Sequence, residues 1–252
     1  ELRRLLEAIF HRYHYDFRRY SEASLRRRMR AALAHFQCES IAGLEERVLG
    51  DSRAFTELLR FLTVQVSELF RDPSYFRSIR EKVVPYLETY PSIRVWVPGC
   101  ATGEEAYSLA IVLAEAGLLE RTLIYATDID PESLRAAEEG VYAIERFARF
   151  SESYLQAGGR ASLSSYYTAR YSSAIIDRSL RQAILFSDHS LATDTAFAEV
   201  ELVSCRNVLI YFERELQDRA VGVLRDSLCR KGFLGLGLKE TLRFSAHAAA
   251  FA

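Results

Sequence analysis

The residues best suited to binding chemistry lie in segment 93–111, IRVWVPGCATGEEAYSLAI. Its apolar start predicts a buried strand, Gly99 and Gly103 predict a turn, and the apolar end predicts a helix. Glu104 and Glu105 stand at the start of that helix, where carboxylates suit the positive end of the helix dipole but repel a phosphate. Because a pyrophosphate prefers an uncharged glycine-rich turn, this acidic turn favours a cationic ligand.

A second acidic motif follows the next predicted strand. Segment 123–130, LIYATDID, is apolar and ends in acids, and Pro131 then marks a helix start. An acid at this position of a doubly wound sheet accepts hydrogen bonds from a ribose diol, and Asp128 is the candidate. A cationic ligand that carries a ribose is S-adenosylmethionine. Either motif alone is also compatible with an ordinary strand-to-helix turn whose acids are solvated.

Four segments together resemble the CheR family of chemotaxis receptor methyltransferases. They are VQVSELFRDPSYF (64–76), VWVPGCATGEEAYSLAI (95–111), ATDID (126–130) and SCRNVLIYF (204–212), in this order and spacing. The resemblance implies methyl transfer from S-adenosylmethionine to glutamate side chains of a bacterial chemoreceptor. The products are S-adenosylhomocysteine and glutamyl methyl esters. Two alternatives stay open: a non-catalytic S-adenosylmethionine-binding signalling module, and a methyltransferase for a different substrate.

The resemblance also implies roles for individual residues. It places Arg71 beside the methyl donor and Tyr211 against the substrate carboxylate, so both are predicted catalytic residues. Without it, Arg71 would be read as a solvated arginine paired with Asp72 or Glu68, and Tyr211 as a core tyrosine. Glu105 is expected on the amino group of the cofactor. The predicted cofactor-binding residues are Gln65, Ser67, Arg71, Gly99, Glu105, Asp128, Ser190, Leu191, Cys205, Arg206 and Asn207.

Composition limits the class of protein. The chain has 252 residues, 49% of them hydrophobic, and a net charge of -1, which suits one large domain or two small ones. It contains neither a long apolar run nor a basic leader, so we expect no membrane insertion. The four cysteines lack CxxC spacing, which favours a cytoplasmic protein without a metal site. We also expect a monomer that does not bind nucleic acid, because no basic aromatic groove is evident.

Two domains are predicted. Apolar residues at helical spacing predict an all-α substrate-recognition domain over residues 1–88, and Pro85 and Pro91 bracket the expected linker. Strands and helices alternate over 89–252, which predicts an α/β methyltransferase domain with a doubly wound, Rossmann-like sheet. Residues 145–183 are expected to form a small antiparallel β insertion. The predicted elements are strands VWVP, LIYAT, ILFSD, VELVSC and GFLGLGL, and helices over 105–117, 131–139 and 213–230.

A strongly cationic helix is predicted over residues 24–36, beside an apolar stripe at spacing four. Its arginines form either a solvated helix face or, as the resemblance implies, a surface that docks on the acidic methylation helices of the chemoreceptor. Some family members also grip a C-terminal receptor pentapeptide with a glycine-containing loop. The matching segment 168–173 is short and has no glycine, so we expect recognition without this tether. The arginines are Arg26, Arg27, Arg28 and Arg30.

Overall fold

A bundle of four helices forms the N-terminal part of the protein. The computed structural model describes residues 1–251. Leu58, Leu59 and Leu62 share one buried helix face, as their spacing predicts. Val66, the fourth residue of that predicted pattern, lies beyond the end of the helix and is 70% exposed. Ser40 and Asp51 start the third and fourth helices, where their side chains accept backbone N–H groups. The helices are α1 (Leu2–Tyr13), α2 (Glu22–His35), α3 (Ile41–Gly50) and α4 (Ser52–Leu62).

The next short helices belong to the second part of the protein. These are α5 (Pro73–Ser78), a π-helical turn (Ile79–Val83) and α6 (Val84–Leu87). Their buried side chains pack into the core under the central sheet, whereas the core of the bundle ends at Leu62. Pro85 stands in the first turn of α6, a position that tolerates proline, and does not mark a linker. We therefore place the domain division at residues 63–68, earlier than the expected residue 88.

Within residues 1–251, eight strands form two sheets. Strands β6, β2, β1, β7 and β8 lie in this order in a five-stranded parallel sheet, and β3, β5 and β4 form an antiparallel sheet. The chain order reverses beside β1, which opens a crevice at the carboxyl ends of the strands. The strands are β1 (Ile93–Pro98), β2 (Thr122–Asp128), β3 (Val141–Ala143), β4 (Tyr167–Arg170), β5 (Ser173–Ile176), β6 (Ile184–Asp188), β7 (Val200–Cys205) and β8 (Leu228–Leu236).

Helices cover both faces of the parallel sheet, as a doubly wound fold requires. Val95, Val97 and Ile124 pack on one face with α7, while Trp96 and Val203 pack on the other with α11. The remaining helices are α7 (Glu104–Glu115), α8 (Pro131–Glu139), α9 (Phe147–Gln156), α10 (Arg178–Gln182) and α11 (Arg214–Ser227). Single 3-10 turns occupy Leu119–Arg121, Ile144–Arg146, Leu163–Tyr166, Leu209–Tyr211 and Ala248–Ala250. Among residues 1–251, no helix is long and apolar enough to span a membrane.

The boundary between the last predicted helix and the last predicted strand lies earlier in the chain than expected. Helix α11 ends at Ser227, three residues before the expected end at 230, because Leu228 is already extended and begins β8. The pairing of β7 with β8 is irregular between Val200 and Leu202, and Lys231 has a positive φ of 66°. This bulge lets β8 run through a segment that the sequence assigned to a helix.

The antiparallel sheet is the expected insertion. It starts at β3, slightly before the predicted residue 145, and includes the β4–β5 hairpin. Only two residues connect these strands, and the first, Tyr171, is fully exposed with a φ of 51°. The hairpin turn is thus as short as predicted.

Backbone hydrogen bonds join the bundle to the sheet domain. Tyr20 and Phe212 form an isolated antiparallel bridge. Beside it, the Ser21 amide donates to the Tyr211 carbonyl at 2.8 Å and the Glu213 amide donates to the Arg19 carbonyl at 2.8 Å. The segment that leads into α2 is therefore fixed to the segment that carries Tyr211.

Candidate functional site

A cleft with about 580 Å³ of empty space lies between the helical bundle and the carboxyl ends of the parallel strands. This is where open α/β sheets bind ligands. Both domains contribute to its wall. The lining residues are Tyr20, Arg28, Leu62, Thr63 and Val64 from the first part of the chain, and Gly99, Asp128, Ile129, His189, Leu191, Asn207, Val208, Tyr211 and Phe212 from the second.

The turn after β1 begins at Gly99, a position where a side chain would be strained and crowded. Gly99 has a φ of 67°, and a Cβ there would lie 2.5 Å from Cγ2 of Val208. The missing side chain lets the turn approach the loop after β7 and leaves the cleft between them open. The predicted role of Gly99, a close approach of its backbone to the ligand, stays a prediction.

Asp128 presents its carboxylate at the cleft in a fixed orientation. One oxygen accepts the Ala101 amide at 2.8 Å, and the other accepts the Asp130 amide at 3.0 Å. Burial raises the pKa of Asp128, and these two hydrogen bonds oppose that rise. A preoriented carboxylate at the end of β2 fits the hydroxyls of a ribose, as the sequence predicts for S-adenosylmethionine.

The acidic turn is buried and paired with arginines, a feature that the sequence did not reveal. Glu104 is fully buried and contacts Arg146 at 2.9 Å, so its charge is compensated. Glu105 contacts Nη1 of Arg206 at 3.0 Å and accepts the Ser204 hydroxyl at 2.6 Å. Burial raises the pKa of Glu105, and the Arg206 guanidinium opposes this rise.

Arg206 lies behind the cleft wall. Its side chain is 1% exposed and contacts Asp72 at 2.8 Å in addition to Glu105. Its guanidinium carbon also lies 4.2 Å from the centroid of the Tyr75 ring, a cation–π contact. Two carboxylates share one guanidinium, so this cluster keeps a net negative charge beside the turn. Such a charge suits the ammonium and sulfonium of S-adenosylmethionine.

The two neighbours of Arg206 in the chain have different surroundings. Cys205 is fully buried in the core on the α11 face and does not line the cleft, and burial raises the pKa of its thiol. A cofactor contact by Cys205 would therefore involve its backbone. Asn207 lines the cleft and has a φ of 60°, a conformation that asparagine tolerates better than most residues.

The guanidinium of Arg28 lies over the ring of Tyr211, and both residues line the cleft. The guanidinium carbon of Arg28 lies 5.0 Å from the ring centroid of Tyr211. Arg28 donates to the Leu62 carbonyl and, at 2.7 Å, to the Ser24 hydroxyl. Its buried Nε has no hydrogen-bond partner among residues 1–251. Burial lowers the pKa of Arg28. Arg28 thus belongs to the cleft and not to the outer cationic face on which we expected it.

The three predicted ligand residues between α4 and α5 also lie outside this cleft. Gln65 donates to the buried carboxylate of Asp130, and the Ser67 carbonyl accepts Arg146 at 2.6 Å. Arg71 lines a separate open cleft together with Arg149. Its carbonyl accepts Nη2 of Arg206 at 2.8 Å. The roles of Gln65, Ser67 and Arg71 remain predictions.

The end of β6 contributes to two neighbouring clefts. Leu191 lines the main cleft, whereas Ser190 lines a second cleft next to it, and Ile129 and His189 line both. Ile129 directly follows Asp128, so the strand-end rule could have found it. His189, which resembles an ordinary loop histidine in sequence, follows the end of β6 in the same way. No sequence signal connects Tyr20 to this site.

The cationic face of α2 is smaller than the sequence suggested. Arg26 pairs with Glu22 at 2.6 Å, one turn earlier on the same helix. Arg27 and Arg30 are exposed, and within residues 1–251 neither forms an ion pair or a side-chain hydrogen bond. The exposed face therefore carries two arginines that are free to meet an acidic partner.

Comparison with known proteins agrees with this architecture. The family model described as "CheR methyltransferase, all-alpha domain" matches residues 1–63, and "CheR methyltransferase, SAM binding domain" matches residues 65–251. The two models meet where the two hydrophobic cores separate.

Curated relatives carry related names. A Pseudomonas putida protein named "Putative methyltransferase Cher3" is 55% identical over 251 residues, which cover 100% of this chain and 92% of the relative. A "Chemotaxis protein methyltransferase" of Listeria innocua is 28% identical, covering 90% of this chain and 84% of the relative. A solved Geobacter sulfurreducens methyltransferase with S-adenosyl-L-homocysteine aligns at 13% identity and a TM-score of 0.37 over 68% of this chain and 49% of that chain, and adds nothing to the assignment. Since the two family models together cover nearly all of its residues, the chain belongs to the CheR methyltransferase family and is an S-adenosylmethionine-dependent methyltransferase.

Proposed function

We propose that this methyltransferase modifies glutamate side chains of a bacterial chemoreceptor and produces glutamyl methyl esters. The observation that carries the proposal is the pair formed by Arg28 and Tyr211 in the cleft, with 5.0 Å between guanidinium carbon and ring centroid. A guanidinium and a phenol offer the N–H and O–H donors that hold a carboxylate. The name of the Listeria relative agrees with a chemoreceptor as the substrate.

The reaction needs alignment more than acid–base chemistry. When bound, S-adenosylmethionine would supply an electrophilic methyl group on its sulfonium. A carboxylate oxygen would form a bond to the methyl carbon, and the electron pair of the broken carbon–sulfur bond would go to the sulfur of S-adenosylhomocysteine. A glutamate with an ordinary pKa of about 4.3 is ionised at neutral pH, so the enzyme has no proton to remove. Arg28 and Tyr211 orient the carboxylate, and apolar Leu191 and Val208 help to exclude water.

The cofactor is held by acidic groups of the sheet domain. Asp128 binds the ribose hydroxyls, and the negative cluster around Glu105 attracts the ammonium group. Arg71 keeps its predicted catalytic role in this proposal. Because its side chain lines a different cleft, that role requires the segment 63–71 to change position when ligands bind.

The substrate helices dock on the exposed arginines of α2. Arg27 and Arg30 meet the acidic methylation helices, and Arg28, on the same helix, receives the target carboxylate in the cleft. The two-residue turn between β4 and β5 offers little surface for a peptide. Recognition is therefore expected to be independent of a C-terminal receptor pentapeptide.

The test is transfer of radiolabelled methyl groups to a chemoreceptor cytoplasmic domain, followed by alkali. A glutamyl methyl ester releases volatile methanol, whereas an N-methyl product does not. Radioactivity that stays on the receptor after alkali would replace the proposal with methylation of another group.

A second candidate function is a cofactor-binding module without transferase activity. The positions of Gln65, Ser67 and Arg71 outside the cleft favour it. This candidate predicts that the protein binds S-adenosylhomocysteine in calorimetry. It also predicts that no methyl group is transferred to any receptor in the assay above.

A further inference from the structure

Four backbone N–H groups converge on one side chain beside the cleft, that of Glu240. One carboxylate oxygen accepts the amides of Asn207 at 2.8 Å and Gly237 at 2.7 Å. The other accepts the amides of Val208 at 2.9 Å and Leu209 at 2.8 Å. A carboxylate has about four acceptor positions. All of them are filled by the backbone.

Three of these amides belong to the loop that builds the substrate side of the cleft. Asn207 and Val208 line the cleft directly, and the 3-10 turn Leu209–Tyr211 follows at once. The first amides of a helical turn have no partner inside the turn, so they need an acceptor from elsewhere. Glu240 supplies that acceptor from a segment more than thirty residues away in the chain.

Gly237 makes this arrangement possible. A Cβ at Gly237 would lie 2.7 Å from Oε2 of Glu240 and 3.0 Å from the Asn207 amide nitrogen. A side chain at Gly237 would crowd both the carboxylate and the loop, so the glycine lets the turn 237–240 place Glu240 against the loop. The glycine and the glutamate therefore act as one unit.

We propose that Glu240 is a positioning residue for methyl transfer, which fixes the loop 207–209 and through it the ring of Tyr211. Glu240 does not line the cleft itself, so it acts through the loop. The catalytic part of this inference rests on the proposed function of Tyr211, whereas the structural part does not.

Glu240→Gln is the most direct variant. Glutamine has the same shape, but only its carbonyl oxygen accepts, and its NH₂ group would face two N–H donors. About half of the hydrogen bonds between the backbone and this side chain are then lost. Gly237→Ala disturbs the same contacts from the opposite side. Glu139→Gln, an exposed glutamate at the end of α8, is the matched control for loss of charge.

The first measurement is hydrogen exchange of the full chain. Glu240→Gln and Gly237→Ala should speed exchange of the amides at 207–209, and Glu139→Gln should not. Wild-type exchange rates at 207–209 in both variants would overturn the proposal, whatever reaction the enzyme catalyses.

The second measurement is methyl transfer to the receptor domain. Glu240→Gln should lower kcat by about 10- to 100-fold, the size expected for a misplaced catalytic group, with a smaller change in S-adenosylhomocysteine affinity. In a Tyr211→Phe background, the same substitution should have little further effect, because both act on one group. Fully additive losses would refute the link to Tyr211. If the wild-type enzyme transfers no methyl group to the receptor, the proposed function fails, and the exchange result still decides the role of Glu240.

Discussion

Replacing Asp128 with asparagine tests both the ribose assignment and the geometry of the turn after β1. The carboxylate accepts the Ala101 amide on one oxygen and the Asp130 amide on the other. Asparagine has only one accepting terminal atom, so one of these amides loses its partner. A buried donor without a partner costs about 1–3 kcal/mol. We expect Asp128→Asn to lower the free energy of unfolding by that amount in urea titrations.

The same substitution removes the charged acceptor for the ribose. Loss of one charged hydrogen bond corresponds to about 1.5–3 kcal/mol, or roughly ten- to hundredfold weaker binding of S-adenosylhomocysteine by calorimetry. A ligand that lacks both ribose hydroxyls separates this effect from distortion of the turn. Wild type should bind this dideoxy analogue much more weakly than the natural ligand, and Asp128→Asn should bind the two about equally. If the variant still prefers the hydroxylated ligand by the wild-type margin, the ribose contacts another residue.

Three further predictions concern the substrate side. Tyr211→Phe should lower turnover far more than S-adenosylhomocysteine affinity, because its hydroxyl acts on a carboxylate that is absent from the binary complex; a full rate would make Tyr211 a packing residue. Ser21→Pro removes the amide that donates to the Tyr211 carbonyl and should reduce kcat, whereas Ser21→Ala keeps that amide and should match wild type, since the Ser21 side chain makes no capping hydrogen bond. Arg27→Glu should weaken receptor binding in co-sedimentation and flatten its dependence on salt, because exposed charges are screened beyond a Debye length of about 8 Å at physiological ionic strength. Binding that is insensitive to salt in wild type would argue against electrostatic docking.

Much of the sheet domain could be predicted because its signals are local. Alternating strands and helices set the order of the elements, and the carboxyl ends of parallel strands meet at one edge. For this reason Gly99, Asp128, Leu191, Asn207 and Tyr211 all reach the same cleft.

The partners of the buried charges could not be predicted in this way. Glu104 meets Arg146, and Glu105 meets Arg206 about one hundred residues later in the chain. Hydrophobic periodicity contains no information on which distant cation will balance a buried carboxylate. The sequence predicts only that Glu104 and Glu105 stand at the start of a helix and favour a cationic ligand, whereas in the structure each of them belongs to an ion-pair network. The site still favours a cationic ligand. Arg206 also pairs with a second carboxylate, that of Asp72, so the cluster keeps a net negative charge.

The domain division also could not be predicted from local sequence signals. Prolines at 85 and 91 suggested a linker, but proline is also tolerated in the first turn of a helix, and Pro85 occupies such a position in α6. What decides the division is the core into which Phe76 and Leu87 pack, and that is a long-range property.

Helix α2 illustrates why residue type and spacing alone could not divide its arginines by role. Consecutive residues of an α-helix point about 100° apart, so neighbouring arginines face different surroundings. Arg27 is exposed, whereas Arg28 reaches the Leu62 carbonyl and the ring of Tyr211. The backbone bridge between Tyr20 and Phe212 holds the start of this helix against the segment that follows Tyr211. Under the proposed function, the helix that docks the receptor therefore also forms the wall against which the methyl acceptor is oriented, and binding of the substrate and its alignment depend on the same rigid element.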